Sequence, residues 1–498
     1  VSQPCDLGAH EARSAMSRGE LSPVELTVSC LERVDELNPT LNAVVARWDE
    51  VALNAARAAE RELQAGNAAG VLHGLPVAIK DLQATQGLVT TYGTEFYRHH
   101  VPSEDAGIVA RVKAAGGIII GKTNIPEMSI GANTINRIFG ATGNPYDPTL
   151  TCGGSSGGSA VAVAAGMAPL ATGSDHGGSL RIPASFCGVV GHRATPGTVP
   201  NETRTVTQTN YSLQGPMART VDDAALLLAA IARRDRDSRK DPMSFPLDAN
   251  QFLTIDAPAL EDFEIGFTQD FGGLPVSAHV RESFAQRVEY LEQRGATVRE
   301  VELDLTDAID VDWQLRADIF ATQYHREIEF FDDTFNPNVF RSYETALSTS
   351  VLAIAQARRR QKELFETVDH VFDDVDVLLC PTVSVPPFPW TSLHPSAIDG
   401  CPVDNYMAWL GLTSCLTVVG HPVTALPAGL DNGGLPVGLQ CVGPMYHDWS
   451  LLGFAKCLEG HFADSAMFAA AIPDRNEILQ SDARCEALGR KAAIAAAQ

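Results

Sequence analysis

The chain has 498 residues, of which 45% are apolar, 20% charged and 7% aromatic. That apolar content supports a large core, and the charge is too sparse and dispersed for a disordered chain. With 37 basic against 61 acidic residues the net charge is −24, a surface that repels phosphate backbones and anionic leaflets, so neither nucleic acid nor membrane is an expected partner.

The first residues, Val1-Ser2-Gln3-Pro4, lack a basic region followed by an apolar block, so no secretory signal is expected. The longest apolar stretch, 160–171, is broken by Gly166 and Pro169 and is too short to cross a bilayer. Ten dispersed cysteines with no C-x-x-C pair read as reduced, buried thiols of a cytoplasmic protein. There is no HExxH, and the adjacent His99-His100 pair lacks metal-ligand spacing, so no metal or cofactor is expected.

Residues 1–70 form a helical segment in this reading. Ser22-Pro23-Val24-Glu25 is a capping box, and Val24, Val28, Leu31 and Val34 follow at helical spacing until Asn38-Pro39 ends the helix. An alanine-rich helix covers 48–64. From residue 71 short apolar strands alternate with helices: a strand at 75–80, a helix over 105–115 and a strand at 118–120. Further strands are predicted near 168–172, 263–268, 297–302, 375–380 and 436–442, with a long helical segment at 309–375. This alternation argues for an α/β sandwich, and with no linker or repeat in sight, for one domain over 1–498 with 71–200 as its catalytic core segment. The charge runs Arg233-Arg234-Asp235-Arg236-Asp237 and Arg358-Arg359-Arg360 are read as solvated helix surface.

Two motifs mislead. Gly116 to Thr123 matches the phosphate-loop pattern G-x-x-x-x-G-K-[ST], but its three isoleucines belong to a strand rather than a wrapped loop. Gly154-Ser155-Ser156-Gly157-Gly158 matches the nucleophile elbow G-x-S-x-G, but Pro148 to Gly153 is a poor strand. His421 and His447 are candidate bases for such an elbow, with no acid picked out beside them.

The informative segment is Cys152 to Gly191, taken with Lys80. It holds C-G-G-S-S-G-G-S-A and then G-S-D-H-G-G-S-L-R-I-P-A-S-F-C-G. The second cluster, at Gly177-Gly178-Ser179, makes a turn rich in backbone N–H groups able to hold an oxyanion beside a serine hydroxyl. With Gly74-Leu75-Pro76-Val77-Ala78-Ile79-Lys80-Asp81, Gly140-Ala141-Thr142-Gly143-Asn144-Pro145 and Gly434-Leu435-Pro436-Val437-Gly438-Leu439-Gln440, the chain resembles the amidase signature family over residues 7–465.

The resemblance implies a single large α/β/α sandwich around a central mixed sheet, and a serine hydrolase of small-molecule amide C–N bonds. Its catalytic residues would be Lys80, Ser155 and Ser179. Ser179 would form the acyl-enzyme, and Ser155, after a cis peptide bond to Gly154, would pass the proton to Lys80. The backbone N–H groups of His176, Gly177, Gly178 and Ser179 would form the oxyanion hole, with Asp175 and Arg181 supporting that loop. Lys80 must be neutral to accept a proton, and the apolar strand Val77-Ala78-Ile79 desolvates it in that direction; Asp81 alternates to the other face. His176 departs from the small or aliphatic residue the family often has in its slot, and is read as packing against the loop; Cys152 is read as structural.

Aryl acylamides and carbamates are among the substrates this class admits, with esters a further activity, water as the second reactant and a homodimer left open. Two alternatives stand beside this reading. One is the glutamine-hydrolysing subunit of a tRNA-dependent amidotransferase, where the family commonly places Gln at the position of Ile182. The other, of a different class, is a non-catalytic binding protein on the same fold.

Overall fold

A computed structural model of the protein describes residues 3–68, 70–325, 332 and 334–481. The amino-terminal segment is helical, with α1 (Ala9–Ser17), α2 (Pro23–Leu41) and α3 (Asp49–Gln64). The capping box closes as expected: the Glu25 N–H donates to Ser22 Oγ at 3.1 Å and the Ser22 N–H to the Glu25 carboxylate at 2.8 Å. Pro39 does not end α2, which runs on to Leu41 before Asn42 turns left-handed at φ 53°. A proline removes only one donor near the end of a helix, and Asn38 takes over the capping by accepting the Ala43 and Val44 N–H groups at 2.8 Å each. The unexpected element is β1 (Val44–Arg47), which carries the chain from helix into sheet.

Ten further strands follow: β2 (Pro76–Lys80), β3 (Ile118–Thr123), β4 (Leu170–Asp175), β5 (Val190–Arg193), β6 (Leu213–Ala218), β7 (Glu264–Phe267), β8 (Thr297–Glu300), β9 (Val377–Pro381), β10 (Val423–Leu430) and β11 (Pro436–Val442). All eleven belong to one mixed sheet, ordered β1-β3-β2-β4-β6-β5-β10-β11-β9-β7-β8. The trio β3-β2-β4 is parallel, as is β9-β7-β8, and the pairings between these trios are antiparallel.

Helices α4 (Gly107–Ala114), α5 (Gly157–Ala164), α6 (Arg181–Cys187), α7 (Val221–Ile231), α8 (Ala278–Gln293), α9 (Ala308–Gln323), α10 (Pro337–Ser348), α11 (Val351–Asp369), α12 (Gly411–Val419) and α13 (Asp448–Ala463) complete the main elements. The sandwich follows from period-two alternation in strands buried on both faces. Val77 and Ile79 of β2 join the core under α1, α4, α7, α8 and α13, while Ala78 joins the core of α2, α3 and α5. In β9, Val377 and Leu379 face the first core and Leu378 and Cys380 a third, beneath α9, α11 and α12. Beyond Asp222 and Asp223 in its first turn, helix α7 is apolar all round and correspondingly enclosed, and the burial of each of Leu226, Leu227 and Leu228 contributes about 1.5–3 kcal/mol.

Among its described residues the segment 309–375 holds three α-helices, α9, α10 and α11, rather than one. Asn336 caps α10 with Pro337 at its first turn, and Ser350 caps α11; residues 326–331 and 333 of this segment lie outside the described residues. On α11 the arginines are surface groups paired with Asp318, Asp307 and Glu363. Arg234 is less exposed than its charge run suggested: it donates to the carbonyls of Gly197, Thr198 and Phe245 at 2.8–2.9 Å. Among the described residues eight cysteines are buried and Cys401 is exposed, all of them unpaired, and no helix is long and apolar enough to cross a membrane.

Candidate active site

Because β2 and β4 are parallel neighbours, their carboxyl ends meet at one edge of the sheet, where open α/β sheets place their ligands. Lys80 is the last residue of β2, and Ser174 and Asp175 end β4. Ser155 and Ser156 precede α5, after a cis Gly154–Ser155 peptide bond. Helix α5 reaches this edge because Gly158 has no side chain: a Cβ there would lie 2.7 Å from the backbone oxygens of Ala43 and Asn124.

These elements bring three hydroxyls around one amine. Lys80 Nζ lies 2.8 Å from Ser155 Oγ, 2.9 Å from Ser156 Oγ and 2.8 Å from Ser174 Oγ, and its side chain is 0% exposed. Burial holds the ammonium pKa well below its ordinary value, opposed only by the field of Asp175. That field is already compensated, since Arg181 and Arg193 both reach the Asp175 carboxylate, which they keep well below the usual range against the effect of burial. A neutral amine has two N–H donors and one lone pair. Ser156 Oγ gives its own proton to the Ser174 carbonyl at 3.2 Å, so it can only accept from Lys80. With Ser174 Oγ taking the second N–H, the lone pair is left for Ser155.

Ser179 sits on the loop between β4 and α6, tied to the Ser155 turn by the Ser156 N–H donating to the Ser179 carbonyl at 3.2 Å. Ser155 and Ser179 both line one cavity of about 580 Å³. Asp175 and Arg181 brace this loop, Arg181 donating to the carboxylate at 2.9 and 3.0 Å and reaching on to Thr417, Gln440 and the Thr413 carbonyl.

The expected set of oxyanion donors needs one correction. The Gly178 N–H donates to Asp175 Oδ1 at 2.8 Å and is therefore spent on the loop itself. The N–H groups of His176, Gly177 and Ser179 have no partner among the described residues, and all three residues border the cavity. The loop carbonyls are held from outside: Gly177 O accepts from Thr413 Oγ1 at 2.8 Å and His176 O from Arg316 at 3.3 Å. The His176 ring packs on Tyr211, with Nδ1 2.8 Å from Ser212 Oγ.

Residues outside the motifs complete the site. Ser156 and Ser174 stand in the glycine–serine clusters, but nothing in the sequence separates them from their neighbours. Arg193, Thr413 and Arg316 carry no local signal, because each reaches the loop from another element, β5, α12 and α9 respectively. In the phosphate-loop look-alike, Lys122 lies within β3, 0% exposed, bound to Thr85, Thr90 and the Gln83 carbonyl. Neither His421, stacked on Phe365 and tilted against Phe372, nor the exposed His447 borders the cavity. Asp81 is bound to Thr91 rather than to Lys80, and burial raises its carboxyl to about 6. Cys152 is buried.

The cavity walls are aromatic and hydroxylic. Tyr92, Tyr97 and His100 cluster at one part, Tyr92 stacked on His100 and Tyr97 edge-on to both, and Trp313 packs edge-on to Tyr406 at another. No aspartate or glutamate lines the cavity among the described residues, and its two arginines are already paired, Arg204 with Asp241 and Arg316 with Asp312.

A family model described as Amidase matches residues 25–452. The chain belongs to the amidase family. An amidase of this kind hydrolyses an amide C–N bond. A subunit of the glutamyl-tRNA(Gln) amidotransferase of Thermosynechococcus vestitus is 32% identical over 484 residues, covering 90% of this amidase and 96% of its own length. An acylamidase from Rhodococcus erythropolis is 31% identical over 443 residues, covering 87% and 91% of the two chains. The crystal structure of a bacterial aryl acylamidase superposes with a TM-score of 0.83 at 27% identity, covering 91% of this amidase and 96% of that chain.

Proposed function

We propose that this amidase hydrolyses small, uncharged, partly apolar amides through an acyl-enzyme on Ser179, with Ser155 and Lys80 as proton relay. The observation that carries the proposal is the buried amine of Lys80, held by three serine hydroxyls at 2.8–2.9 Å with no carboxylate in contact among the described residues. In acylation Ser179 Oγ bonds to the substrate carbonyl carbon while its proton passes to Ser155 and that of Ser155 to the Lys80 lone pair. The carbonyl oxygen becomes an oxyanion, for which the free N–H groups of His176, Gly177 and Ser179 are available; one such donor is typically worth about 3 kcal/mol in the transition state. The same relay then returns the proton to the leaving nitrogen as the C–N bond breaks. Water attacks the ester in the second half, its proton following the same route and Ser179 regaining its own.

Substrate class follows from the walls. Among the described residues the cavity is lined by no acid and its arginines are already paired, so they offer a free amino acid no counter-charge for its ammonium group, and burying an unpaired charge is strongly unfavourable. Aromatic walls suit an aryl or similarly flat apolar group, in line with the acylamidase relatives. The names of other relatives favour a second reading, glutamine hydrolysis for an amidotransferase. Against it, Ile182 borders the cavity where a glutamine is common in such subunits. Comparing kcat/KM for anilides, alkyl amides, carbamates, aryl esters and L-glutamine tests the choice. Neutral anilides and esters should exceed glutamine; the reverse order would transfer the assignment to the second reading, and no turnover of any would favour a binding protein.

A further inference from the structure

His176 is the residue of the site whose side chain the reaction leaves unused. Its ring is fixed on two sides, by Ser212 Oγ 2.8 Å from Nδ1 and by the Tyr211 ring, whose centroid lies 5.0 Å away at 52°. The anchors are themselves held. Tyr211 is 1% exposed, and the Ser212 carbonyl accepts from Asn201 Nδ2 at 3.2 Å. The backbone below is clamped by Arg316. Nε2, by contrast, has no partner among the described residues, and His176 is half-buried at the cavity surface, three residues before Ser179. A leucine of similar bulk would cover Tyr211 equally well but would leave Ser212 Oγ without its partner.

We propose that His176 is a specificity residue whose Nε2 hydrogen-bonds an uncharged polar group flanking the scissile carbonyl of the substrate. The proposal rests on the reading of Ser179 as nucleophile, and adds to it a substrate class: amides that carry a hydrogen-bonding group next to the reacting carbon. The ring is suited to the task because it stays neutral. Burial, then the charges of Arg316 and Arg193, push the imidazolium pKa well below its ordinary value. A neutral imidazole donates from one nitrogen and accepts at the other. The Ser212 hydroxyl can serve Nδ1 in either sense. Where Ser212 donates, Nε2 carries the hydrogen and meets a substrate oxygen; where Ser212 accepts, Nε2 receives an N–H or O–H. Both anchoring contacts reduce the conformational freedom lost when substrate binds.

The test uses two matched substrate series and the full chain. One series varies the acyl side, hydroxyacetyl against propionyl anilide; the other varies the leaving side, anilide against the corresponding aryl ester. The quantity read is the ratio of kcat/KM between the polar and apolar member, in the parent, His176→Leu, His176→Gln and Ser212→Ala. A neutral hydrogen bond predicts that His176→Leu lowers this ratio about tenfold in one series, which identifies the side contacted. His176→Gln, which retains a polar atom at the same reach, should restore most of it, and Ser212→Ala should shift it in the direction of His176→Leu. Ratios within about twofold of the parent in both series, for His176→Leu and Ser212→Ala alike, would overturn the proposal. So would a His176→Gln variant no better than the leucine. If His176→Leu does not fold, the Ser212→Ala ratio decides alone. Labelling by a fluorophosphonate separates this from the underlying reading: a parent labelled at Ser179 with unmoved ratios removes only the role of His176, whereas an unlabelled parent removes both.

Discussion

Replacing Lys80 with methionine keeps most of the length of the side chain and removes the amine from the centre of three hydroxyls. The rate should fall by roughly a hundred- to ten-thousandfold in kcat/KM, the range typical of a lost general base, while Ser179 and the three free loop N–H groups stay in place. The same substitution has a signature in stability. Burial depresses the Lys80 pKa in the folded protein, so between the folded and unfolded values the unfolded chain binds a proton that the folded chain does not. Stability of the parent therefore rises with pH up to the unfolded-state value near 10.4, and falls by about 1.4 kcal/mol per pH unit on going down toward the folded-state pKa. Lys80→Met lacks this term. Urea unfolding of both proteins at pH 9 and pH 8 should show the parent losing about 1.4 kcal/mol relative to the variant on going down that unit. Parallel stability curves, or a parent kcat/KM whose ascending limb is centred near pH 10, would refute the claim that the amine is neutral at work.

Asp175→Asn should destabilise the protein by about 3–5 kcal/mol, because Arg181 and Arg193 are left buried without their counter-charge; thermal or denaturant unfolding reads this directly. Gly178→Ala should abolish hydrolysis, since Gly178 has φ +121° and an added Cβ would lie 2.7 Å from Thr413 Cβ and 2.9 Å from Ile182 Cδ1; circular dichroism separates loss of the loop from loss of the fold. Ser155→Ala should lower kcat by roughly a hundredfold or more and affect anilides more than aryl esters, whose leaving groups need no proton; equal loss on both would remove Ser155 from leaving-group protonation.

The parts of this fold visible in the sequence are those with one local cause. Val77-Ala78-Ile79 and Ile118-Ile119-Ile120 read as strands because parallel strands covered on both faces are continuously apolar. Strand β6 was invisible for the opposite reason: it carries Gly215 and Pro216, residues that disfavour a strand interior, and is held by its neighbours β4 and β5. Strand β10 likewise contains Pro427, at an irregularity in its pairing with β11. Lys80, Ser155, Ser179 and the Asp175–Arg181 pair lie in the motifs that carry the family resemblance, and that resemblance singles them out. Arg316 and Thr413 do not, because they reach the loop across 140 and 236 residues of chain. The role of the Gly178 N–H was hidden too, since only the orientation of the Asp175 carboxylate shows that it is taken.

The most direct test is active-site titration with an aryl carbamate that leaves a slowly hydrolysed carbamoyl group. One equivalent of phenol should be released per chain in a burst, and peptide mass mapping should locate the adduct on Ser179, with the burst rate reduced in Lys80→Met. A burst with the adduct on another residue, such as Ser155 or Ser156, or no burst from folded protein across a panel of such carbamates, would contradict the account.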